Sequence, residues 1–313
     1  MNPVNTENRK EDPAHREQWK RRRAAMEWND YIAWRRGTHG YWLYKYKHKA
    51  ILVFGALLKA VGFFKYGYRN ALELRVRHVD IFPKGLPEAF KGYRILHLSD
   101  LHLDSIEGLG ERIARTIEPL SYDLCVITGD FRYTRHGEYK QVLPDLRRIL
   151  SAVTATDGIY AVLGNHDTEA ISEDLEALGP RLLTNESLPL ARGGQHIRLI
   201  GTDDPHDYYT DTAASCLKNS GEGFKLLLVH SAEMYRLAAA NGVGLYLCGH
   251  SHGGQICLPG GWPLMTYLNT GKRFYKGLWH YKDMTGYTSS GCGTAKIPVR
   301  FNCSPEIPVL TLR

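Results

Sequence analysis

The sequence predicts an α/β protein, because short β-rich apolar runs alternate with helical stretches from about residue 90 onward. Polar clusters rich in Asp, Asn and His follow most of those runs directly. The first 90 residues have a different composition, with a basic segment and then an apolar one. These three observations predict one large α/β domain over residues 90–313, preceded by a separate N-terminal region.

Six apolar runs have the length and composition typical of strands. They are residues 94–98, 124–127, 159–163, 197–200, 225–229 and 245–248. Four stretches between them have the apolar spacing of helices that pack on a sheet. They are residues 109–118, 139–153, 169–178 and 232–241. The chain has no internal repeat, which argues against a solenoid.

The formal net charge of +7 over 313 residues is unevenly distributed. The first 49 residues carry twelve basic and six acidic side chains, which leaves +1 for the other 264. Because the predicted domain is nearly neutral, we expect no specific nucleic-acid partner. Residues 1–49 are predicted to form a basic polar tail, either solvated or bound to a surface.

Residues 50–64 are apolar except for Lys59, and aromatic and basic residues flank them. A fifteen-residue helix reaches only ~22 Å, less than the ~30 Å hydrocarbon core of a bilayer. We therefore predict that residues 50–75 form a membrane-associated helix in the interface; the alternative is a helix packed on its own domain. The basic tail favours an anionic membrane surface as the partner, at the cytoplasmic face. Export stays open, because Arg35-Arg36 precedes the apolar run.

The six cysteines include no C-x-x-C pair, so neither a zinc ribbon nor a disulfide framework is expected. They are predicted to be free, partly buried thiols.

Side chains of the metal-ligand type stand where the predicted strands end. They are Asp100, His102, Asp130, Asn165, His230, His250 and His252. Because ligands bind at the carboxyl ends of strands in an open α/β sheet, we expect these side chains to converge. Oxygen and imidazole ligands without thiolates favour Mn²⁺, Fe or Zn²⁺. Seven such groups exceed the needs of one tetrahedral ion, so we expect two ions that share a carboxylate.

These clusters resemble the motif blocks of the calcineurin-like metallophosphoesterase superfamily. The blocks are D-x-H at 100–102, Gly129-Asp130, Gly164-Asn165-His166-Asp167, His230 and Gly249-His250-Ser251-His252. GTDDP at 201–205, GHSHGGQ at 249–255 and the segment 291–307 further resemble its bacterial YkuE/YaeI-type phosphodiesterase branch. The resemblance covers residues 90–313 and implies a four-layer αββα sandwich, in which helices flank two mixed sheets.

The resemblance also implies which residues hold the two divalent ions. One ion is assigned to Asp100, His102, Asp130 and His252, and the second to Asp130, Asn165, His230 and His250. Asp130 is then the bridge, His166 the catalytic histidine that assists the leaving oxygen, and Asp167 the residue that orients His166. The implied reaction is hydrolysis of a phosphodiester or pyrophosphate by a hydroxide that bridges the ions, with Mn²⁺ expected first and Fe or Zn²⁺ as alternatives.

Three positions depart from the family pattern. Tyr133 stands where many members have a second Asp, Ser251 takes the place of a common Thr, and Ser290 stands where the branch often has Arg. None of these changes removes an expected ligand. The membrane-associated segment leads us to consider a lipid-linked substrate, and UDP-2,3-diacylglucosamine pyrophosphatase activity is one alternative. A non-catalytic membrane-bound interaction protein is the alternative from another class.

Overall fold

The computed structural model describes residues 13–36 and 39–313 of the chain. Its helices are α1 (Pro13–Arg36), α2 (His39–Ala60), α3 (Phe63–Ala71), α4 (Leu109–Ile117), α5 (Leu143–Ser151), α6 (Ile171–Ala177), α7 (Asp211–Lys218) and α8 (Tyr235–Ala240). Its strands are β1 (Arg75–Ile81), β2 (Arg94–Leu98), β3 (Leu124–Ile127), β4 (Ile159–Ala161), β5 (Arg181–Leu182), β6 (Glu186–Arg192), β7 (Gln195–Gly201), β8 (Lys225–Leu228), β9 (Val243–Cys248), β10 (Gly277–Tyr281), β11 (Met284–Thr288) and β12 (Glu306–Leu312). The six strands and four helices predicted after residue 90 all occur, with ends that differ by four residues or fewer.

The first sheet has six strands in the order β1-β12-β2-β3-β4-β5. Strands β2 to β5 are parallel, with Ile95 opposite Leu124 and Val126 opposite Tyr160. Strand β12 returns from the C-terminus and lies antiparallel to β2 and parallel to β1. The parallel core of this sheet brings the carboxyl ends of β2, β3 and β4 to the same edge.

The second sheet also has six strands, in the order β10-β11-β9-β8-β7-β6. Its centre is parallel, because β7, β8, β9 and β11 run in one direction. Antiparallel hairpins close both sides, one joining β6 to β7 and the other joining β10 to β11. Both sheets are therefore mixed.

The two sheets pack face to face and share a buried core that includes Ile95, Val126, Leu226 and Leu245. The outer face of the first sheet is covered by α4, α5 and α6, and that of the second by α7 and α8. Strands β2, β3 and β8 are buried on both faces, which explains their continuous apolar runs. The αββα sandwich implied by the resemblance is confirmed.

Helix α1 corrects the prediction of a solvated tail for this part of residues 1–49. Trp19 and Arg23 are four residues apart, so they lie on one helix face, and both are buried against the sandwich. Arg16, on the same side, donates a hydrogen bond to Glu176 (2.7 Å) and another to Thr184 (3.3 Å). The basic residues on this face therefore bind the domain itself instead of water.

The apolar segment forms two helices instead of the single helix predicted over 50–75. Helix α2 ends at Ala60, and α3 begins after Gly62, whose φ of 78° a non-glycine residue adopts at a cost. Among the described residues, no single helix is both long and apolar enough to cross a bilayer. By length and composition alone, Ile51–Ala60 and Phe63–Ala71 pass that test as a pair bent by 112°.

All six cysteines are free, as the sequence predicted, and five of them are buried.

Candidate metal centre

The predicted ligands lie on the loops that follow strands of both sheets. Asp100 and His102 follow β2, Asp130 follows β3, and Asn165 follows β4. His230 follows β8, and His250 and His252 follow β9. The structure brings all seven side chains together and leaves each of them buried. The convergence expected from the strand ends is therefore present.

Five of these residues have left-handed backbone conformations. The φ angles are 49° at Asp100, 40° at His102, 58° at Asp130, 70° at His250 and 50° at His252. Residues with side chains rarely adopt such angles, and each instance costs about 1–3 kcal/mol. The surrounding hydrogen bonds hold the loops in this form, with Asp100 N donating to Gly129 O and His102 N donating to Asp130 O, both at 3.0 Å.

The first group of ligand atoms belongs to Asp100, His102 and His252. The two Nε2 atoms of His102 and His252 are 3.1 Å apart. Asp100 Oδ1 is 3.5 Å from His252 Nε2, and Asp130 Oδ2 is 3.5 Å from His102 Nε2. These four residues are the set that the resemblance assigned to the first ion.

The second group surrounds the other side of Asp130. Its Oδ2 atom is 3.2 Å from His230 Nε2. Asn165 Oδ1 is 3.1 Å from that nitrogen and 3.0 Å from His250 Nδ1. Because Asp130 Oδ2 approaches one imidazole of each group, it has the position that a bridging carboxylate requires.

Two of the histidines are held in the tautomer that a metal ligand needs. His102 Nδ1 donates to the carbonyl oxygen of Arg132 (2.9 Å), and His230 Nδ1 donates to that of Thr128 (2.7 Å). In each ring this directs Nε2, the atom that would bind a metal, at the cluster. The donor set of carboxylates, an amide oxygen and imidazoles therefore fits two divalent cations.

The charges of the cluster also suit cations. Burial alone opposes ionisation of Asp130, but the positive charge of the His230 imidazole holds the pKa of the Asp130 carboxyl well below the ordinary value. The same attraction raises the pKa of His230 well above the usual value for histidine. Burial lowers the pKa of His250 and of His252 well below that value. Asp130, His250 and His252 therefore have the protonation states that bind metal, and a cation would replace the His230 proton.

Asp100 is fixed by hydrogen bonds from the next loop. His250 N donates to both of its carboxylate oxygens at 3.1 Å, and the Ser99 hydroxyl donates to Oδ2 at 2.7 Å. A Cβ at Gly249 would lie only 2.2 Å from Asp100 Oδ2. A residue without a side chain is therefore needed at position 249.

His166 lies beside the cluster, with its ring centre 5.0 Å from that of His102. Its Nδ1 atom donates to the carbonyl oxygen of Tyr133, whose ring stacks on the imidazole at 5.6 Å. Burial lowers the pKa of His166 to about 4. His166 is only partly buried, unlike the ligands, so a substrate could reach its ring.

The role expected for Asp167 needs correction, because Tyr133 instead orients the His166 ring. Asp167 Oδ2 accepts hydrogen bonds from Asp130 N (2.7 Å) and Gly164 N (2.8 Å), and Oδ1 accepts one from Phe131 N (2.9 Å). These bonds join the loop after β3 to the loop after β4. Asp167 therefore positions Asp130 and the His166 loop through their backbones.

Two arginines near the cluster are structural. Arg132 is buried and donates to the carbonyl oxygens of His166 (3.2 Å) and Gly137 (3.0 Å). Arg300, also buried, donates to the carbonyl oxygens of His252 (3.2 Å) and Ser290 (2.7 Å). Arg300 thus links two segments: the turn that bears His252, and the segment that contains Ser290, which departs from the family pattern.

Sequence reasoning missed the contribution of α1. Arg23 donates to the carbonyl oxygens of Gly164 and Asp167, both at 2.8 Å, and these residues flank Asn165 and His166. It also pairs with Asp203 at 2.8 Å, and the Trp19 indole donates to the same carboxylate. The four-residue spacing of Trp19, Arg23 and Glu27 was the available signal. Their partners lie 140 or more residues away, which a local pattern does not reveal.

The chain is similar in sequence to known proteins. The profile of the calcineurin-like phosphoesterase family matches residues 93–254. The metallophosphoesterase YkoQ of Bacillus subtilis is 31% identical over 273 residues, which cover 82% of this chain and 97% of YkoQ. The phosphodiesterase YaeI of Escherichia coli is 28% identical and covers 80% of this chain and 92% of its own. The crystal structure of the calcineurin-like phosphoesterase YfkN from Bacillus subtilis aligns with a TM-score of 0.38 at 14% identity, over 64% of this chain and 81% of that one.

Proposed function

Because the chain belongs to the calcineurin-like phosphoesterase family and is therefore a hydrolase of phosphoric esters, we propose that it hydrolyses a phosphodiester or pyrophosphate with two divalent cations. The first cation binds Asp100, His102, Asp130 and His252, and the second binds Asp130, Asn165, His230 and His250. When bound, the cations supply an activated water for in-line attack and neutralise charge on the phosphoryl oxygens. The observation that best supports this proposal is that Asp130 Oδ2 lies close to both His102 Nε2 and His230 Nε2.

His166 assists the departing oxygen in this proposal. With Nδ1 donating to the Tyr133 carbonyl, the other ring nitrogen is left to act on the substrate. An anionic phosphoryl group beside the ring favours the protonated imidazole, which donates a proton or a charged hydrogen bond to the leaving group. Asp167 and Arg23 keep the loop that bears His166 in place through backbone contacts.

We expect His166→Ala to lower kcat for an alkyl phosphodiester by about 10²- to 10⁴-fold, the range for loss of one general acid. The loss is smaller for a nitrophenyl diester, because nitrophenolate departs without a proton. Steady-state kinetics on the two substrates measures the difference. His196→Ala, at an exposed position on β7, is the control. Equal losses of kcat on both substrates would argue against the acid role.

Manganese is the cation we propose, since it accepts the carboxylate and amide oxygens of Asp100, Asp130 and Asn165 together with imidazoles. The protein is depleted of metal with a chelator and then reconstituted with Mn²⁺, Fe²⁺ or Zn²⁺. We expect two ions per chain by elemental analysis and the highest kcat with Mn²⁺. Maximal activity with one ion per chain would contradict the dinuclear site.

We propose that α2 and α3 attach the protein to an anionic membrane surface, at the cytoplasmic face. One side of this helix pair contacts the domain, where a Cβ on Gly55 would lie 3.6 Å from Ile297 and the Tyr66 ring lies 6.1 Å from that of Phe301. The other side exposes large apolar side chains. They are Leu52, Val53, Leu57, Val61 and Phe63. Residues 39–72 contain six basic side chains and no acidic one, which favours anionic lipid.

The membrane attachment is tested by substitution on α2 instead of deletion of the N-terminus, because deletion would also remove Trp19 and Arg23. We expect Val53→Asp/Leu57→Asp to weaken partition into anionic vesicles at least about tenfold, since two apolar side chains leave the lipid. Leu278→Asp, at an exposed site on β10, is the control. Cosedimentation measures both variants, and equal partition would contradict the attachment.

A lipid-linked pyrophosphate is a second candidate substrate, favoured by the exposed apolar face of α2. UDP-2,3-diacylglucosamine is the specific compound we propose to test, with release of UMP as the readout. An enzyme that hydrolyses an aryl phosphodiester but releases no UMP would not be a UDP-2,3-diacylglucosamine pyrophosphatase.

A further inference from the structure

The loop formed by residues 258–265 exposes an unusual concentration of apolar side chains. Trp262 is 73% exposed, Leu258 and Leu264 are each 53% exposed, and Met265 is 42% exposed. Single exposed apolar residues are ordinary on protein surfaces, but four within eight residues form a patch that marks a contact site. The membrane attachment proposed above for α2 and α3 does not account for this loop.

The 258–265 loop lies beside α3. Arg300 N donates to Gly67 O at 2.9 Å, which places the segment around Phe301 against α3. Residue 301 in turn bridges to 256, and 257 bridges to 263. Adjacent backbone segments paired in this way are about 4.8 Å apart, so two such steps separate Phe301 from the loop by roughly 10 Å. The loop therefore lies close to α3.

The charges around the loop identify its partner. Residues 256–276 contain Lys272, Arg273 and Lys276 and no acidic residue, and residues 39–72 have the same bias. Apolar side chains accompanied only by basic ones match an anionic bilayer. The apolar side chains enter the membrane interface, and the Lys and Arg side chains contact the anionic headgroups. A protein partner would not require the complete absence of acidic residues over both segments.

The loop also lies next to the metal centre. It begins six residues after the ligand His252, and a Cβ at Gly254 would lie 2.3 Å from the Cβ of Pro263. Cys257 N donates to Phe301 O at 2.9 Å, so the connecting residues are held in place. A bilayer that contacts Trp262 would therefore border the cluster of ligands.

We propose that the 258–265 loop is a second lipid-contact element, which together with α2 and α3 forms one surface that seats the metal centre at an anionic bilayer. The substrate class that follows is an amphiphilic phosphoester whose apolar part stays in the membrane while its phosphate reaches the cluster. This inference rests on the proposed hydrolase function. It adds that the substrate comes from the membrane.

The test compares the full-length wild type with Trp262→Ser/Leu264→Ser. Phe82→Ser is the matched control, because Phe82 is 70% exposed but lies beyond β1, away from this surface. Vesicles of phosphatidylcholine with about one third phosphatidylglycerol supply the anionic surface, and pure phosphatidylcholine supplies the neutral one. Cosedimentation gives the partition coefficient. A nitrophenyl phosphodiester is supplied both in solution and as a lipid-tailed form in the vesicles.

We expect the double variant to lose roughly 10- to 100-fold in partition to anionic vesicles, since each large apolar side chain withdrawn from lipid removes about one power of ten. Its kcat/KM on the vesicle-borne ester falls in parallel, whereas its activity on the soluble ester and the behaviour of Phe82→Ser stay unchanged. Equal partition of wild type and double variant would overturn the proposal. So would a dimer that forms without lipid and is lost in the double variant.

The two levels of inference fail separately. If the wild type with Mn²⁺ does not hydrolyse the soluble ester, the proposed hydrolase function on diesters fails. If it hydrolyses that ester but shows the same vesicle dependence with and without Trp262 and Leu264, only the lipid-contact proposal fails.

Discussion

Replacing Asp130 with asparagine is expected to lower kcat/KM on an aryl phosphodiester by about 10³-fold or more. The substitution preserves the shape of the side chain but removes the negative charge that faces His102 and His230 at 3.5 and 3.2 Å. An amide cannot neutralise two cations, so both ions bind less tightly. We expect elemental analysis to find fewer than two ions per chain.

The control for this prediction is Asp283→Asn, because that carboxylate is exposed and pairs only with Lys84 at the surface. It should leave both the metal content and kcat/KM at the wild-type level. If Asp130→Asn kept two ions per chain and its kcat/KM stayed within tenfold of wild type, a bridging role for Asp130 would be untenable.

Arg23→Met is expected to lower the free energy of unfolding by about 3 kcal/mol or more. The methionine fills much of the volume, but Asp203 loses its cationic partner and two carbonyl oxygens in the loop that carries His166 lose their donor. Chemical denaturation followed by circular dichroism measures the change. We also expect kcat to fall more than KM changes, since the disturbed residue is His166 and not a substrate-binding surface.

Arg21→Met on the same helix is the matched control, because Arg21 is exposed and bonds only to Glu17. Its effect should stay within about 0.5 kcal/mol. Arg23→Lys should recover only part of the loss, since an ammonium cannot reproduce the forked donation to Asp203, Gly164 and Asp167. An unfolding midpoint of Arg23→Met equal to that of Arg21→Met would show that α1 does not support the site.

The sequence predicted the interior of the sandwich better than its borders. Strands such as β3, with Cys125 and Val126 buried on both faces, appear as continuous apolar runs. The four strands missed at the sheet edges, β1, β5, β6 and β10, are short or alternate between exposed and buried positions. Strands β11 and β12 were also missed, although both lie inside their sheets. Pro308 argues against an interior strand in β12, and Gly286 weakens the strand pattern of β11.

The convergence of the candidate ligands could be predicted because each follows its strand within a few residues, so a local pattern carries the information. The residues that hold the site in place could not be predicted in this way. Tyr133 orients His166 through a backbone oxygen, which any residue at that position also has. Arg23 reaches the His166 loop only because α1 packs on the folded domain, and the sequence of α1 alone resembles a solvated basic segment.

The left-handed conformations of Asp100, His102, Asp130, His250 and His252 set stability against activity. Glycine tolerates these angles without strain, so a substitution to glycine that destroys the hydrolase relieves part of the backbone energy stored there. Laboratory evolution that selects only for heat resistance should therefore favour substitutions at these five positions. An engineer who wants a thermostable enzyme must screen for turnover in every round.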